Sequence, residues 1–217
     1  AIILSKEDIS CHFIPFESIG LCFSGGGYRA SAFALGVLSY LDRVKFNEES
    51  LLGKADALST VSGGTLTGVA YAVSQAKPES FDKFYKDFYQ FLQEDKITET
   101  AICILKDDAL WKNSHKKRSL INAFALAYEQ LLVQGTFDLF YNNSASPIKQ
   151  VCFNATDFSF GLAFRFQNTG LFGNKPLNCA ELNKVKVQVK LADAVASSSC
   201  FPFGFEPMVF PDDYFAD

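Results

Sequence analysis

The chain has 217 residues, of which 48% are hydrophobic and 20% are charged, and its formal net charge is −4. This composition excludes a disordered or fibrous protein and is typical of one globular domain spanning residues 1–217. The acidic balance does not favour nucleic acid as a partner, and no apolar run reaches the roughly 18 residues that a membrane span needs.

Strands and helices alternate in the first third of the chain. Hydrophobic periodicity predicts a strand, a glycine run, a helix, a second strand and a second helix, in the order Ser18–Phe23, Ser24–Gly27, Tyr28–Val44, Ala55–Val61 and Thr65–Ala76. Two strands that each lead through a tight turn into a helix indicate an α/β protein with a parallel sheet.

The rest of the chain continues in mixed structure. Its middle is predicted to be mostly helical, with amphipathic helices over Ser80–Gln93 and Ser119–Val133. A hairpin follows, with strands Lys149–Ala155 and Leu162–Phe166 around a turn at Ser159–Gly161. A short helix over Leu191–Ser199 is stopped by Pro202, and we expect irregular chain with one or two short strands over Phe203–Asp217.

Three compositional features have both an ordinary and a functional interpretation. The 23 phenylalanines form either a core or an apolar pocket for acyl chains, and the core is the simpler expectation. The basic run Lys112–Lys117, followed by Arg118, is either the solvated start of a helix, which we favour, or a contact for phospholipid headgroups. The six cysteines form no CxxC pair and predict no metal site, which favours a reducing, cytoplasmic setting without disulfides.

Ser62 lies in Ser59-Thr60-Val61-Ser62-Gly63-Gly64-Thr65, where a strand passes into a helix. A serine hydroxyl is a weak nucleophile that must be exposed at a sharp turn beside a base, and small residues permit such a turn. The N–H groups at the start of the following helix favour developing negative charge. The motif therefore predicts a nucleophile, whereas the alternative interpretation is an ordinary helix N-cap.

A second glycine-rich turn, Ser24-Gly25-Gly26-Gly27-Tyr28-Arg29, also joins a strand to a helix. Consecutive glycines let the backbone approach a ligand with several N–H groups converging on an anion. Gly25, Gly26 and Gly27 are therefore candidates for an oxyanion hole. Arg29 either steadies this loop, meets a substrate phosphate, or is a surface cation on the first helical turn.

The sequence offers no histidine base for Ser62. His12 precedes the first strand and His115 lies in a polar run between helices, so a carboxylate must act directly. A competing hypothesis is a dinucleotide site, because Gly25, Gly27 and Ala30 fit G-x-G-x-x-A after a strand. That fold needs an acidic residue at the end of the second strand, where this chain instead continues into Ser62.

Three motifs together resemble the patatin-like phospholipases and the related cytosolic phospholipases. They are SGGGYR at residues 24–29, STVSGGT at 59–65 and ASSSCFP at 196–202. The resemblance spans Leu21 to Asp217. It implies a three-layer α/β fold with a mostly parallel central sheet, and a Ser62–Asp217 dyad served by an oxyanion hole at Gly25–Gly27. It also implies a lipid ester or phospholipid substrate. We expect peripheral contact with membranes, and acyl transfer through a serine requires no metal or organic cofactor.

The chain departs from the family pattern at two places. Thr60 stands where many members have glycine, and the glycines expected after the dyad aspartate are not present beyond Asp217. We therefore expect the domain to continue past Asp217, with Asp212 and Asp213 as the alternative bases. The segment Asn154–Asp157 is predicted to form a turn through Asp157 rather than to take part in chemistry. A catalytically silent lipid-binding or scaffolding domain is the alternative function.

Overall fold

The computed structural model describes residues 16–77, 79–112, 114–141, 146–174 and 177–215. The strands are β1 (Ile19–Phe23), β2 (Lys45–Phe46), β3 (Glu49–Ser50), β4 (Ala55–Val61), β5 (Gln150–Asp157) and β6 (Leu162–Gln167). The helices are α1 (Gly27–Arg43), α2 (Gly63–Ala76), α3 (Phe81–Glu94), α4 (Ile97–Lys106), α5 (Asp108–Lys112), α6 (Leu120–Leu131), α7 (Asp138–Tyr141), α8 (Cys179–Gln188) and α9 (Leu191–Ser199). A 3₁₀ turn at Leu52–Lys54 precedes β4.

The main sheet has four strands in the order β1–β4–β5–β6. The first three run parallel, and β6 returns antiparallel to β5 as a hairpin. Parallel strands end at the same edge of a sheet, so the carboxyl ends of β1, β4 and β5 lie together. The expected class is confirmed: this is a three-layer α/β fold in which a mostly parallel sheet is flanked by helices.

Alternate residues of strands β1, β4 and β5 face the hydrophobic core. Leu21, Phe23, Leu58, Val151 and Phe153 are buried, as the two-residue period of a strand dictates. Helix α2 is buried along most of its length, and α9 packs against β5, α2 and α6. The site described below therefore stands on elements with little freedom to move.

Most predicted elements are confirmed to within one or two residues, including the hairpin turn. The strands expected within Phe203–Asp217 are wrong for the residues described, because 203–215 form turns and irregular chain. The backbone groups there are used locally: Val209 N–H donates to the Asp213 carboxylate, and Asp213 N–H donates to the Val209 carbonyl. Backbone groups satisfied in this way have no partner left for a strand ladder.

The basic run also differs from its predicted role. Lys112 ends α5, but the Lys116 side chain is only 1% exposed and pairs with Asp193 inside the protein. Arg118 pairs with Asp108 at the surface. The interpretation as a solvated helix start is therefore wrong for Lys116. Within the described ranges, none of the helices combines the length and hydrophobicity that crossing a bilayer requires.

Candidate active site

Ser62 is the single residue between the end of β4 and the start of α2, and its backbone conformation is strained. Its φ of 53° and ψ of −123° lie in a region that residues with a side chain rarely occupy, which costs of order 1–3 kcal/mol. It holds the N-cap position of α2, yet its hydroxyl makes no capping hydrogen bond. The N-cap interpretation therefore leaves the Ser62 hydroxyl unexplained, and strain of this kind is typical of a functional turn.

The glycine loop lies directly against Ser62. A methyl group built on Gly25 would be 3.0 Å from Ser62 Cβ and 3.6 Å from Ser62 Oγ. A methyl on Gly64 would lie 2.6 Å from the Phe23 carbonyl oxygen, and one on Gly63 would overlap the Gly27 backbone. Only glycine allows the two turns to approach this closely, so the structure brings together the two motifs that the sequence predicted.

Gly26 and Gly27 turn the chain from β1 into α1. Both have positive φ, at 139° and 61°, and Gly26 is the N-cap residue of α1. The first N–H groups of a helix have no acceptor within it. The loop thus brings the start of α1, with the positive end of its dipole, close to the Ser62 turn.

A chain of hydroxyl groups fixes the Ser62 backbone from behind. Ser198, near the end of α9, accepts a hydrogen bond from Ser62 N–H at 2.8 Å and donates to the Asn154 carbonyl at 2.6 Å. Thr65 Oγ1 lies 2.9 Å from Ser198 Oγ and 2.9 Å from Thr60 Oγ1. The ASSSCFP motif therefore holds the turn of the candidate nucleophile in place through its second serine.

Thr60, which replaces the usual glycine, has a structural counterpart in Gly68. A methyl group on Gly68 would lie 2.6 Å from Thr60 Cγ2. The Thr60 hydroxyl meanwhile bonds to Thr65. The threonine is thus accommodated because the facing position on α2 has no side chain.

The segment Asn154–Asp157 belongs to strand β5 and not to a turn, so that part of its prediction is wrong, whereas the predicted role of Asp157 is confirmed. Asp157 Oδ1 accepts hydrogen bonds from Ser159 N–H at 3.0 Å and Phe160 N–H at 3.3 Å, which confirms the Asx-type turn. The Asn154 amide donates to Ser59 Oγ and to the Thr60 carbonyl, both at 3.0 Å. These bonds tie β5 to β4 just before Ser62.

Arg29 lies beside the glycine loop on the first turn of α1 and is exposed. It lines a cavity of about 420 Å³ together with Gly25, Gly26 and the apolar side chain of Phe33. Ser62 does not line this cavity. An exposed guanidinium at this position is compatible with a surface cation and with a contact to a substrate phosphate.

Asp217, the predicted base, lies outside the described residues, and the two substitutes differ in setting. Asp212 is exposed in a turn. The Asp213 carboxylate is buried and accepts hydrogen bonds from Lys117 N–H at 3.1 Å, Asn122 Nδ2 at 2.8 Å and Val209 N–H at 2.7 Å. A carboxylate with three such donors holds chain segments together, and both of its oxygens are already engaged within the protein.

Sequence reasoning missed a buried ion pair behind this segment. Lys116 Nζ lies 2.9 Å from Asp193 Oδ1 and also donates to the Asp213 carbonyl oxygen. Burial raises the pKa of Asp193 to about 6, although the Lys116 ammonium opposes that shift. The available signal was the KNSHKK run, but nothing in the sequence indicated that one of its lysines is buried.

Helix α9 also contacts the segment that leads to Asp217. The Ser197 hydroxyl donates to the Asp193 carbonyl at 2.7 Å and meets the Tyr214 hydroxyl. Tyr214 is buried, and burial raises the pKa of its hydroxyl far above the usual value. Two adjacent serines of α9 thus hold the Ser62 turn on one side and Tyr214 on the other.

Comparison with known proteins gave one match. A sequence model described as patatin-like phospholipase matches residues 21–217. Neither the curated proteins nor the solved structures that were searched yielded a match.

Proposed function

Because the chain belongs to the patatin-like phospholipase family, we propose that it is a serine acyl hydrolase that uses Ser62 as nucleophile and Asp217 as base. Membership supports a hydrolase of lipid esters in general. The dyad and the oxyanion hole at Gly25–Gly27 are our assignments for this chain. No step of this chemistry calls for a metal or an organic cofactor.

The reaction would proceed through an acyl-enzyme. Asp217 accepts the Ser62 proton as the oxygen attacks the ester carbonyl, and the Gly25–Gly27 amides hold the resulting oxyanion. The C–O bond to the alcohol breaks as the alcohol takes up the proton. Water, deprotonated by the same carboxylate, then attacks the acyl-serine, so that the carboxylic acid leaves and Ser62 regains its proton.

One observation carries this proposal: the glycine loop lies so close to a serine in a strained turn that a methyl group on Gly25 would be 3.0 Å from Ser62 Cβ. Strain at Ser62 costs stability, and a turn without function has no reason to retain it. Preorganised backbone amides stabilise a tetrahedral intermediate, and the closeness of the glycine loop to Ser62 supports that role for it. Loss of one such donor typically costs about 2.7–4 kcal/mol in the transition state.

The contacts of α9 support Asp217 as the base. Ser198 holds the Ser62 N–H, and the neighbouring Ser197 holds the Tyr214 hydroxyl. Asp217 follows Tyr214 by three residues, a span of at most about 10 Å along the chain. The segment that α9 anchors through Tyr214 thus leads directly to the proposed base, whereas Asp213 is already engaged by its three donors.

The substrate class follows from the family and from Arg29. Lipid esters are the substrates of the family in general, and the exposed Arg29 beside the glycine loop suits a phosphate of a phospholipid. Peripheral contact with a membrane belongs to the same proposal, since such substrates reside in lipid aggregates.

A fluorophosphonate probe tests the nucleophile. We expect it to label the wild type and not Ser62→Ala, while Ser39→Ala, which changes a half-buried serine on α1, keeps full labelling. A wild-type protein that stays unlabelled would remove the proposed activity and favour the lipid-binding or scaffolding alternative.

Carboxylate variants test the base. We expect Asp217→Asn to lower kcat on a soluble short-chain ester by roughly a thousandfold, which is within the range for loss of a general base. Asp212→Asn is the matched control and should change kcat little. The reverse pattern would assign the base to Asp212.

A further inference from the structure

The tip of the β5–β6 hairpin exposes large apolar side chains. Phe158, Phe160 and Leu162 are 70%, 76% and 52% exposed. The stretch from Phe158 to Phe164 contains no charged residue. Single exposed hydrophobic residues are ordinary, but three within one short hairpin tip are a candidate interaction surface.

This tip projects past the edge where Ser62 lies. In the parallel pair of β4 and β5, Val61 is the partner of Asn154. The strand β5 continues to Asp157 before the turn begins. At about 3.3 Å per residue, the tip starts roughly 10 Å beyond the level of Val61. The hairpin tip thus extends beyond the level of the candidate nucleophile at the same edge of the sheet.

The tip has a fixed shape. Asp157 Oδ1 receives the N–H groups of Ser159 and Phe160, and its Oδ2 receives the Asn174 amide at 2.5 Å. These bonds occupy the one carboxylate at the base of the tip and set the turn. Ordering the loop in advance lowers the entropic cost of binding.

A second pair of exposed aromatic side chains follows the carboxyl end of α9, close to the Ser62 turn. Phe203 is fully exposed, and Phe201 is exposed beside it. Both follow the end of α9, where Ser198 contacts the Ser62 backbone. Exposed aromatic residues therefore occur on two separate segments next to the candidate site.

We propose that the hairpin tip, with Phe203 as a second contact, inserts into the surface of a lipid aggregate and sets the active site against it. The inference rests on the proposed function, because the lipid substrate explains why an apolar tip should stand beside Ser62. A convex, uncharged tip suits an acyl layer, into which aromatic side chains insert without desolvating a charge.

The test separates lipid binding from catalysis. Binding to phosphatidylcholine vesicles is measured by sedimentation, with Ser62→Ala protein so that no substrate is consumed. We expect the Phe158→Ser/Phe160→Ser variant to partition at least about tenfold less, since binding scales with inserted apolar area. The matched control, Ile102→Ser/Val187→Ser, removes exposed apolar side chains from α4 and α8 and should bind as the parent does.

Activity gives the second readout. In the otherwise wild-type protein, the tip variant should keep its kcat/KM on a soluble short-chain ester and lose about tenfold on vesicles. Equal vesicle binding by the tip variant and its parent would overturn the inference. A tip variant that is monomeric in light scattering while its parent is an oligomer would also overturn it, because the tip would then be a protein contact. If the wild type does not hydrolyse the soluble ester, the proposed function is wrong. The vesicle-binding measurement would then still decide whether the tip binds lipid, because it does not depend on hydrolysis.

Discussion

The turn that carries Ser62 and the segment that leads to Asp217 are held in place by different interactions. The Ser62 turn packs backbone against backbone, through Gly25, Gly63 and Gly64, and an uncharged chain of hydroxyl groups supports it. The segment before Asp217 is held by buried charge, through Asp213 and the Lys116–Asp193 pair.

Because the interactions differ, different substitutions should destabilise the two parts of the proposed dyad. Contacts between glycines are short-ranged and fail when a single methyl group is added. A buried ion pair fails when one partner is lost, because the other charge is then stranded in a medium of low dielectric. Helix α9 connects the two sides, because its Ser198 contacts the Ser62 turn and its Ser197 contacts Tyr214.

The largest effect is expected on the charged side. Lys116→Met should lower the free energy of unfolding by about 3–5 kcal/mol, because it leaves the Asp193 carboxylate buried and unpaired. The Lys116→Met/Asp193→Leu variant should recover most of that loss. Urea denaturation of the two variants measures the difference, and a harmless single variant would contradict the pairing.

The next effect belongs to the glycine contact. Gly63→Ala should lower the free energy of unfolding by about 3 kcal/mol, since its methyl group overlaps the backbone of Gly27. The control is Gly36→Ala on α1, where a methyl group meets nothing within 4 Å. That variant should instead gain about 0.5–1 kcal/mol from helix propensity. Thermal melts of both proteins would show equal shifts if the two turns were not in contact.

A smaller effect sharpens the account of Thr60. Gly68→Ala should cost about 2 kcal/mol through the contact with Thr60 Cγ2. Adding Thr60→Ser removes that methyl group while keeping the hydroxyl that bonds to Thr65, so the double variant should be more stable than Gly68→Ala alone. Additive losses in chemical denaturation would show that the two positions do not touch.

The smallest effect has the opposite sign. Ser62→Gly should abolish hydrolysis yet raise the free energy of unfolding by about 1 kcal/mol, because glycine accepts the positive φ without strain. Ser62→Ala removes the same hydroxyl but keeps the strain, so its melting temperature should stay near that of the wild type. A Ser62→Gly protein less stable than Ser62→Ala would argue against strain at this turn.

Much of the fold follows from local sequence patterns. Strand β4 occupies the residues predicted for it, and the periodicity of α1, α3 and α6 placed them within two residues. The approach of Gly25 to Ser62 was also foreseeable, because both turns follow neighbouring parallel strands whose carboxyl ends share an edge.

Long-range polar contacts were not foreseeable. Lys116 is far from Asp193 in sequence, and a lysine in a basic run ordinarily belongs to the surface. The strands expected near the end of the chain are missing from residues 203–215 because the Asp213 carboxylate takes the Val209 N–H. Asp157 was predicted correctly since an Asx turn needs only its nearest neighbours.

The contact of Ser198 with the Ser62 backbone has a consequence for synthesis on the ribosome. The chain emerges from its amino terminus, so β1, β4 and both glycine turns are available long before α9 is made. Until Ser198 arrives, the Ser62 N–H lacks the acceptor that fixes its turn. We therefore expect the Ser62 turn of a nascent chain to take up its fixed conformation only after α9 has been made and packed against it.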